Sequence, residues 1–319
     1  MEKININYTD MYEKFFYKAI GNYLKEKYEI VFSEDPDFLF YSVYGSGVEH
    51  YKYKNCIKIF YGAEGVLPDF NECDYAIGSY PMSVNERYHI TPYCLPKPSD
   101  RRNPVDLSEK KFCNFIYSNE NNGKGAILRK EFCECLMEYK KVDCPGKVLH
   151  NIDLDLEPRG GKNWYESKLD FIKNYKFTIA FENASMPGMT SEKLLQPLMV
   201  GSVPIYWGDP YVDKIYNQNA YINCNDCSTI EEMVKKVVEI DNNDTKYMEM
   251  LTTKSFPDDF YENESEKINE FLEYIINYGK IYEKNPLSMD KREVAGLAYL
   301  KYQATPTYKI KRLLNKLKY

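Results

Sequence analysis

The hydrophobic residues of the first hundred positions form short continuous runs, interrupted by one longer helical stripe. Short apolar runs bounded by polar turns predict buried strands, here at residues 4–8, 28–32, 38–43, 56–61 and 75–77. Between the first two runs, apolar residues recur at helical spacing, at Phe15, Phe16, Ala19, Ile20, Tyr23 and Leu24. Because short strands that alternate with helices favour a parallel sheet covered on both faces, the pattern predicts a first α/β lobe.

The same alternation starts again after residue 109. Strands are predicted at residues 112–117, 177–181 and 203–207, and helices at 126–139, 191–200, 230–240 and 266–278. Residues 95–109 hold three prolines and six charges, as is typical of an exposed linker. The predicted domains are therefore an N-terminal lobe (1–100), a second doubly wound lobe (101–280) and a helical C-terminal segment (281–319). Ligands of such folds bind at the carboxyl ends of the strands, so we expect a site in a cleft between the lobes.

Composition agrees with a two-lobed globular protein and excludes several classes. The 319 residues are about twice the usual length of one domain. A formal net charge of -6 argues against nucleic-acid binding, which needs a basic face. Nine cysteines, an odd number, are interpreted as reduced thiols. No signal peptide and no apolar run of transmembrane length is evident, so we expect a cytoplasmic protein.

The last eleven residues, from Lys309 to Tyr319, combine a stripe of apolar residues with a cluster of cations. Helical spacing places the apolar residues on one side and the basic residues around them: Ile310, Leu313, Leu314 and Leu317, with Lys309, Lys311, Arg312, Lys316 and Lys318. Such a segment is typical of a helix that lies on anionic lipid, here on the inner face of the membrane. A terminal helix that packs its leucines on the protein explains the pattern equally well.

The most informative polar residues lie within residues 177–210. A predicted strand ends in two of them and a predicted helix begins with three: Glu182 and Asn183, then Ser191, Glu192 and Lys193. A helix N-terminus offers free amides to a phosphate, and a lysine there is unfavourable for the helix dipole unless an anion binds. The Glu192 carboxylate is placed to accept hydrogen bonds from ribose or sugar hydroxyls. Taken alone, the same three residues could be a helix cap followed by two surface charges.

This run resembles the signature of the α-1,3/1,4-fucosyltransferases, glycosyltransferase family 10, of the bacterial type. The family joins a Phe-Glu-Asn strand end to a Thr/Ser-Glu-Lys helix start and then to Val-Pro-Ile/Val-Tyr-Trp-Gly. The matching residues are Phe181-Glu182-Asn183, Ser191-Glu192-Lys193 and Val203-Pro204-Ile205-Tyr206-Trp207-Gly208. The resemblance implies the GT-B architecture, in which two Rossmann-like lobes face each other across a cleft.

The resemblance extends upstream to a strand ending in Ser118-Asn119 and to Arg129 at the start of the next helix. It implies that Arg129 and Lys193 clamp the diphosphate of GDP-fucose, with Asn119 nearby. The implied donor-binding set is completed by Ser118, Glu182, Asn183, Ser191 and Glu192. Fixed cations can stabilise the charge that a leaving GDP gains, as a metal ion would. The resemblance therefore implies a metal-independent enzyme with no cofactor besides its donor substrate.

In the first lobe, the resemblance places the general base at Glu64. The residues that match the family around it are Phe60, Tyr61, Pro68, Asp69, Phe70 and residues 74–78. An inverting transfer needs one base within hydrogen-bond reach of the attacking hydroxyl. Arg87 and Tyr88 also match and are expected to contact Glu64 or the acceptor. The alternative for Glu64 is a loop glutamate without a catalytic task.

The implied function is that of an inverting α-1,3-fucosyltransferase, although the residues do not separate 1,3 from 1,4 transfer. Fucose would pass to an N-acetylglucosamine or glucose unit of an N-acetyllactosamine- or lactose-type oligosaccharide or glycolipid, as in Lewis antigen or lipopolysaccharide synthesis. Two residues depart from the family: Met189 replaces a usual tyrosine, and Pro197 lies inside a predicted helix, where proline costs about 3 kcal/mol unless the helix bends. Two alternatives therefore stay open: a GT-B enzyme with another nucleotide sugar, and a catalytically silent glycan-binding relative.

Overall fold

The computed structural model describes residues 1–95, 109–121, 123–154, 157, 161, 163–284 and 286–316. The chain divides into two compact units. Unit 1 comprises Met1–Thr91 and Ser265–Tyr319, and unit 2 comprises Pro92–Glu264. This division differs from the predicted succession of segments, because the chain returns to the first unit near its C-terminus. Most of the predicted linker, residues 96–108, lies outside the described residues.

Unit 1 is built on a six-stranded parallel sheet. The strands are β1 (Glu2–Thr9), β2 (Tyr28–Phe32), β3 (Phe38–Tyr41), β4 (Ile57–Tyr61), β5 (Tyr75–Gly78) and β6 (Tyr88–Ile90). They are ordered β2-β1-β3-β4-β5-β6. All residues of β3 and β5 are buried, as expected for parallel strands covered on both faces. The five strands predicted in this region are present, and β6 is the additional one.

One helical segment follows β1, as the apolar stripe predicts. It consists of α1 (Glu13–Phe16), a π-helical turn (Tyr17–Gly21) and α2 (Asn22–Lys27). Phe16, Ile20 and Leu24 are buried in the core of unit 1, so the predicted face of the helix is confirmed. A 3-10 helix, Glu49–Lys52, lies in the loop between β3 and β4.

Unit 2 contains a five-stranded parallel sheet ordered β11-β10-β9-β7-β8. Its strands are β7 (Lys111–Asn114), β8 (Val142–Asp143), β9 (Tyr175–Phe181), β10 (Val203–Trp207) and β11 (Ile222–Asn223). Its helices are α3 (Lys124–Tyr139), α4 (Trp164–Ile172), α5 (Glu192–Met199), α6 (Ile230–Asp241) and α7 (Asp244–Thr252), with 3-10 turns at Val212–Lys214 and Gln218–Ala220. The predicted elements of this region are present. The sequence pattern missed α4, α7 and the two-residue strands β8 and β11.

Three helices complete the described chain: α8 (Phe260–Tyr278), α9 (Pro286–Ala304) and α10 (Pro306–Lys316). Helix α8 buries Ile268, Leu272 and Ile275 in the same apolar core as β1 and the α1–α2 segment. This burial explains why residues after 264 belong to unit 1. Among the described residues, none of the helices has the length and apolarity to cross a membrane.

Candidate functional site

A cavity of about 230 Å³ opens in unit 2 beside the ends of β7 and β9, between residues of α3, α4 and α5. Six of the eight residues predicted to bind the donor line it: Ser118, Asn119, Arg129, Asn183, Glu192 and Lys193. The loops after two neighbouring parallel strands supply several of these residues, so the site lies where open α/β sheets bind ligands. The structure therefore brings together residues that lie up to 75 positions apart in the sequence.

Arg129 is buried, with only 2% of the residue exposed, and its contacts hold it in one orientation. Its Nη1 donates to Asn183 Oδ1 at 2.7 Å, and its Nη2 donates to the carbonyl oxygen of Asn119 at 2.6 Å. The guanidinium carbon lies 4.0 Å from the ring centroid of Tyr117, a cation–π contact. Burial lowers the pKa of Arg129, but an arginine remains charged at neutral pH. The side chain is thus a fixed cation at the cavity wall.

The backbone of α3 approaches the end of β9 closely enough to require glycine. The amide of Gly125 donates to the carbonyl oxygen of Asn183 at 3.0 Å. A Cβ atom at Gly125 would lie 2.1 Å from the carbonyl oxygen of Glu182, and Gly123 has a φ of +93°. Because a side chain at either position would push the helix away, this close approach is what places Arg129 beside Asn183.

Glu182 positions the start of α5 and does not line the cavity. Its fully buried carboxylate accepts hydrogen bonds from the Ser191 amide at 2.8 Å and from the Ser191 hydroxyl at 2.6 Å. It also accepts one from Lys193 Nζ at 2.9 Å. Ser191 caps α5, since its hydroxyl oxygen accepts from the Lys193 amide at 3.3 Å. Glu182 and Ser191, both predicted to bind the donor, therefore lie behind the cavity wall and orient Lys193.

The cavity carries an excess of positive charge. Although burial favours the neutral amine, the carboxylates of Glu182 and Glu192 outweigh it and raise the pKa of Lys193, which stays protonated. Burial likewise disfavours the Glu192 carboxylate, but Lys193 and Lys168 outweigh it and lower its pKa. Arg129, Lys168 and Lys193 thus face one carboxylate in the lining. No group of three or more histidine, cysteine, aspartate or glutamate side chains among the described residues could hold a metal ion.

Sequence reasoning missed Asp209, which anchors the loop before Ser191. Its buried carboxylate accepts from the Gly188 amide at 2.9 Å, the Thr190 hydroxyl at 2.8 Å and the Tyr211 amide at 2.7 Å. An acidic residue directly after Gly208, at the end of a predicted buried strand, is a signal that could have indicated it. Sequence reasoning also missed Trp164 and Lys168 of the cavity lining, because no helix was predicted at α4.

In unit 1, Glu64 lies in the loop after β4, at the carboxyl end of the sheet. The residue is exposed and has a φ of +53°, and the Val66 amide donates to the Ala63 carbonyl oxygen at 3.0 Å to close the turn. Burial first, and then the Glu64 carboxylate, raise the pKa of the nearby Tyr44. The predicted role of Glu64 as a base stays a prediction.

Arg87 and Tyr88, which are expected to contact Glu64 or the acceptor, also make contacts within unit 1. Arg87 donates three hydrogen bonds of 2.8–3.3 Å to main-chain carbonyl oxygens within residues 70–74. Its guanidinium also lies between the rings of Phe70 and Tyr282, at 4.8 and 4.1 Å from their centroids. Tyr88 is buried in the sheet. These contacts fix the Arg87 guanidinium within unit 1, and contact of Arg87 or Tyr88 with Glu64 or the acceptor stays a prediction.

Two solved crystal structures of α1,3-fucosyltransferase have the same fold. The structure with GDP has a TM-score of 0.71 and 22% identity, and the match covers 89% of this chain and 93% of that one. The structure with GDP-fucose has a TM-score of 0.68 and 23% identity. Together with the two parallel sheets, this similarity confirms the predicted α/β fold class, GT-B.

Sequence comparison identifies the family. Alpha-(1,3)-fucosyltransferase FucT of Helicobacter pylori is 27% identical over 82% of this chain, which spans 63% of that protein. GDP-fucose protein O-fucosyltransferase 3 of Xenopus tropicalis is 34% identical over 40% of this chain and 27% of its own length. The model of the Alpha-(1,3)-fucosyltransferase FucT N-terminal domain matches residues 6–95. The C-terminal model of glycosyltransferase family 10 (fucosyltransferase) matches residues 107–272, just over half of the chain. The chain therefore belongs to glycosyltransferase family 10.

Proposed function

We propose that this chain is an inverting α-1,3-fucosyltransferase with GDP-fucose as its donor. The acceptor is an N-acetylglucosamine or glucose unit of an N-acetyllactosamine- or lactose-type saccharide. The observation that carries the proposal is the cavity of unit 2, where Arg129 and Lys193 present fixed cations beside Asn119, Asn183 and Glu192. The names of the relatives, and the GDP and GDP-fucose bound in the similar α1,3-fucosyltransferase structures, support this donor.

On the donor side, catalysis consists of stabilising the GDP that leaves. Negative charge grows on the diphosphate as the bond to the anomeric carbon breaks, and Arg129 and Lys193 neutralise it. Glu182 keeps Lys193 protonated and oriented, while the N-terminus of α5 adds its positive dipole end. One preorganised hydrogen-bond donor, such as the side chain of Arg129 or Lys193, contributes a factor of about 10²–10³ to the rate. The proposed mechanism assigns this charge stabilisation to the side-chain cations and uses no metal ion.

On the acceptor side, Glu64 acts as the general base. Its carboxylate takes the proton of the acceptor hydroxyl, while the hydroxyl oxygen attacks the anomeric carbon of β-linked GDP-fucose and GDP leaves. This single displacement inverts the configuration and forms an α-linkage. The exposed position of Glu64 on a loop at the carboxyl end of the sheet supports the role, because a saccharide hydroxyl can reach it.

The test is GDP release from GDP-fucose with lactose or N-acetyllactosamine, with a chelator present. Glu64→Gln should lower kcat by about 10²–10⁴ while leaving the melting temperature and GDP binding unchanged. Glu34→Gln, a matched change at another exposed loop glutamate of unit 1, should have no effect. Full activity of Glu64→Gln would overturn the base assignment. Absence of GDP release with either acceptor would overturn the activity, and heat stabilisation by UDP instead of GDP would overturn the donor.

We also propose that α10 makes peripheral contact with anionic lipid on the cytoplasmic face of a membrane. Ile310 and Leu313 are 59% and 64% exposed, so this side of α10 is not packed on the protein. Lys309, Lys311 and Arg312 surround them, as expected for a helix on an anionic surface. The side chains of residues 314–319 lie outside the described residues. The contact is supported if the chain sediments with vesicles that contain phosphatidylglycerol but not with neutral vesicles. It is overturned if the chain sediments with neither kind of vesicle, or equally with both.

A further inference from the structure

A second cavity, of about 1030 Å³, lies in unit 1, and we call it the α10 groove. One wall consists of residues 10–12 and 44–52, which follow the carboxyl ends of β1 and β3. The other wall consists of α9 and α10, with Leu297, Lys301, Tyr308 and Arg312 among its residues. Its volume is that of a pocket for a ligand of several rings, and its place at the strand ends is where α/β sheets bind ligands.

Asp10 fixes the loop that forms the first wall. Its Oδ1 accepts from the Ser46 and Gly47 amides at 2.8 and 2.9 Å, and its Oδ2 accepts from the Glu49 amide at 2.9 Å. Asp10 itself has a φ of +50°, and its carbonyl oxygen accepts from the Tyr44 amide at 2.9 Å. Asp10 thus holds four amides of the loop, three through its buried carboxylate and one through its carbonyl oxygen. The wall is therefore a preorganised surface, as a binding site requires.

The groove offers aromatic rings from both walls. Tyr12 and Tyr44 have their ring centroids 4.9 Å apart on one side, and Tyr12 is 65% exposed. Tyr308 of α10 contributes a ring from the other side. Tyrosine combines an apolar face with a hydroxyl, so it suits a ligand with one apolar and one polar side. A pyranose ring has this character, because its C–H face packs on an aromatic ring while its hydroxyls form hydrogen bonds.

The charges of the groove favour an acidic ligand. Lys52 pairs with Glu49, so these two charges cancel. Lys301, Lys309 and Arg312 form no ion pair with any described carboxylate, whereas Asp10 is occupied by loop amides. A lined concavity with an excess of one charge attracts the opposite charge, and arginine binds carboxylates in a bidentate geometry. An anionic group in the ligand would therefore lie on the α10 side.

We propose that the α10 groove binds the outer sugars of the acceptor and selects acceptors in which an outer sugar carries a carboxylate. This inference rests on the proposed function, with Glu64 as the base. Tyr44, which lines the groove, lies near the loop of Glu64: Phe15 packs edge-on against both Tyr44 and Tyr61, with ring centroids 5.7 and 5.2 Å apart, and Tyr61 ends β4 three residues before Glu64. A saccharide whose reacting unit reaches Glu64 can thus extend along Tyr44 and Tyr12 toward Tyr308 and Arg312.

The experiment compares three acceptors: lactose, 3′-sialyllactose and the methyl ester of 3′-sialyllactose. The wild-type chain should have a kcat/KM about tenfold higher for the acid than for the ester, the equivalent of about 1.4 kcal/mol for the contact between the carboxylate and Arg312. Arg312→Met should remove this preference and leave the kinetics with lactose unchanged. Lys311→Met provides the matched control, because position 311 does not line the groove although it lies next to Arg312.

Tyr308→Ala tests the aromatic part of the groove. It should raise KM for both trisaccharides several-fold without changing kcat for lactose. Equal kcat/KM values for the acid and the ester, or an unaltered preference in Arg312→Met, would overturn the inference while turnover of lactose upholds the proposed function. If no acceptor is fucosylated, the proposed function fails. Titration of the wild-type chain with 3′-sialyllactose and its ester then tests ligand binding in the α10 groove independently of turnover. Binding of the acid that Arg312→Met weakens upholds the groove, and equal or absent binding overturns it.

Discussion

The cavity of unit 2 and the α10 groove of unit 1 both lie at the carboxyl ends of parallel strands, but they are assembled differently. The unit 2 cavity uses residues that directly follow β7 and β9 or begin α3 and α5. The α10 groove joins residues 10–52 to residues 297–312, almost the whole length of the chain. The residues of a site at adjacent strand and helix ends cluster in the sequence and can be recognised there. The residues of a site between distant segments are scattered, so the sequence alone does not indicate the site.

The cations of the two sites also differ in how they are held. Arg129 and Lys193 are largely buried, and each is fixed by at least two hydrogen bonds. Lys301 and Arg312 are exposed at the groove. A buried, preorganised cation stabilises charge that develops in a transition state, whereas an exposed cation is screened by solvent and only biases binding. Substitutions of these cations should therefore have large effects on turnover at the unit 2 cavity and small effects on selectivity at the α10 groove.

Within these two sites, replacement of Lys193 should have the largest effect. Lys193→Met removes the cation that faces the diphosphate, so kcat should fall by about 10²–10³. The same change leaves the buried Glu182 carboxylate without its ion pair, which should lower the free energy of unfolding by about 3–5 kcal/mol. Steady-state kinetics with GDP-fucose and urea unfolding measure the two effects.

A double substitution separates these effects. Glu182→Gln combined with Lys193→Met removes both charges, so most of the lost stability should return while the activity stays low. The amide of the glutamine still offers an oxygen to Ser191. Recovery of activity together with stability would show that Lys193 acts only as a partner of Glu182, and the contrast between the two sites would then be lost.

The elements that carry the unit 2 site could be predicted because each of them depends on residues that are neighbours in the sequence. The run from Phe181 to Lys193 combines a buried strand end, a capping serine and a cation, and the structure uses each of them there. The hydrogen bonds of Asp209 were not predictable, because Gly188 lies 21 residues away and is contacted through its backbone amide. Every residue except proline has a main-chain amide, so the residue type does not indicate which amide donates to Asp209.

The sequence could not assign the C-terminal part of the chain to a unit. The apolar stripe of α8 predicts a helix with a buried face, and the helix is present. Its spacing does not specify which core receives Ile268 and Leu272, and the structure buries them in the core of unit 1, to which β1 also contributes. Arg87 shows the same limit at one residue. Its identity matched a family pattern, but only the structure shows that its guanidinium is used by main-chain carbonyl groups.

Asp209→Asn should have an intermediate effect, because Asp209 supports the unit 2 site without lining it. The amide keeps one acceptor oxygen but loses the charge and the second acceptor, so the loop at residues 188–190 should loosen. Loss of hydrogen bonds to a buried charged group should cost about 1–3 kcal/mol of stability. We expect KM for GDP-fucose to rise about tenfold, the equivalent of 1.4 kcal/mol, with a smaller change in kcat.

The matched control is Asp213→Asn, an exposed aspartate in the following 3-10 turn. It removes the same charge four residues further along the chain and should leave KM and stability unchanged. If both variants raise KM equally, long-range charge explains the effect, and the loop contacts of Asp209 do not. The comparison therefore distinguishes positioning through hydrogen bonds from a general change in the electrostatic potential of unit 2.

The smallest effect concerns the acid stability of unit 1, through Glu72 beside the α10 groove. Its carboxylate accepts from the Tyr51 hydroxyl at 2.7 Å and from Arg292 Nη1 of α9 at 3.1 Å, and it lies 3.6 Å from His50 Nε2. Burial opposes ionisation, but His50, Tyr51 and Arg292 outweigh it and lower the pKa of Glu72 to about 2. Glu72 thus ties α9 to the 3-10 helix at Glu49–Lys52, which supplies part of the first wall of the groove.

The sign of the pH dependence follows from the lowered pKa. The unfolded carboxyl has its ordinary pKa of about 4.3, so Glu72 stabilises the fold fully above that pH and progressively less as the pH falls toward 2. Glu72→Gln should therefore be less stable than the wild type by about 1–3 kcal/mol at pH 7, with the difference shrinking between pH 4.5 and 2. Urea unfolding of both chains at pH 7, 4 and 3 measures it. A difference that stays constant over this range would mean that Glu72 stabilises unit 1 through its shape and not through its charge, and acid would then not loosen the wall of the α10 groove by protonating Glu72.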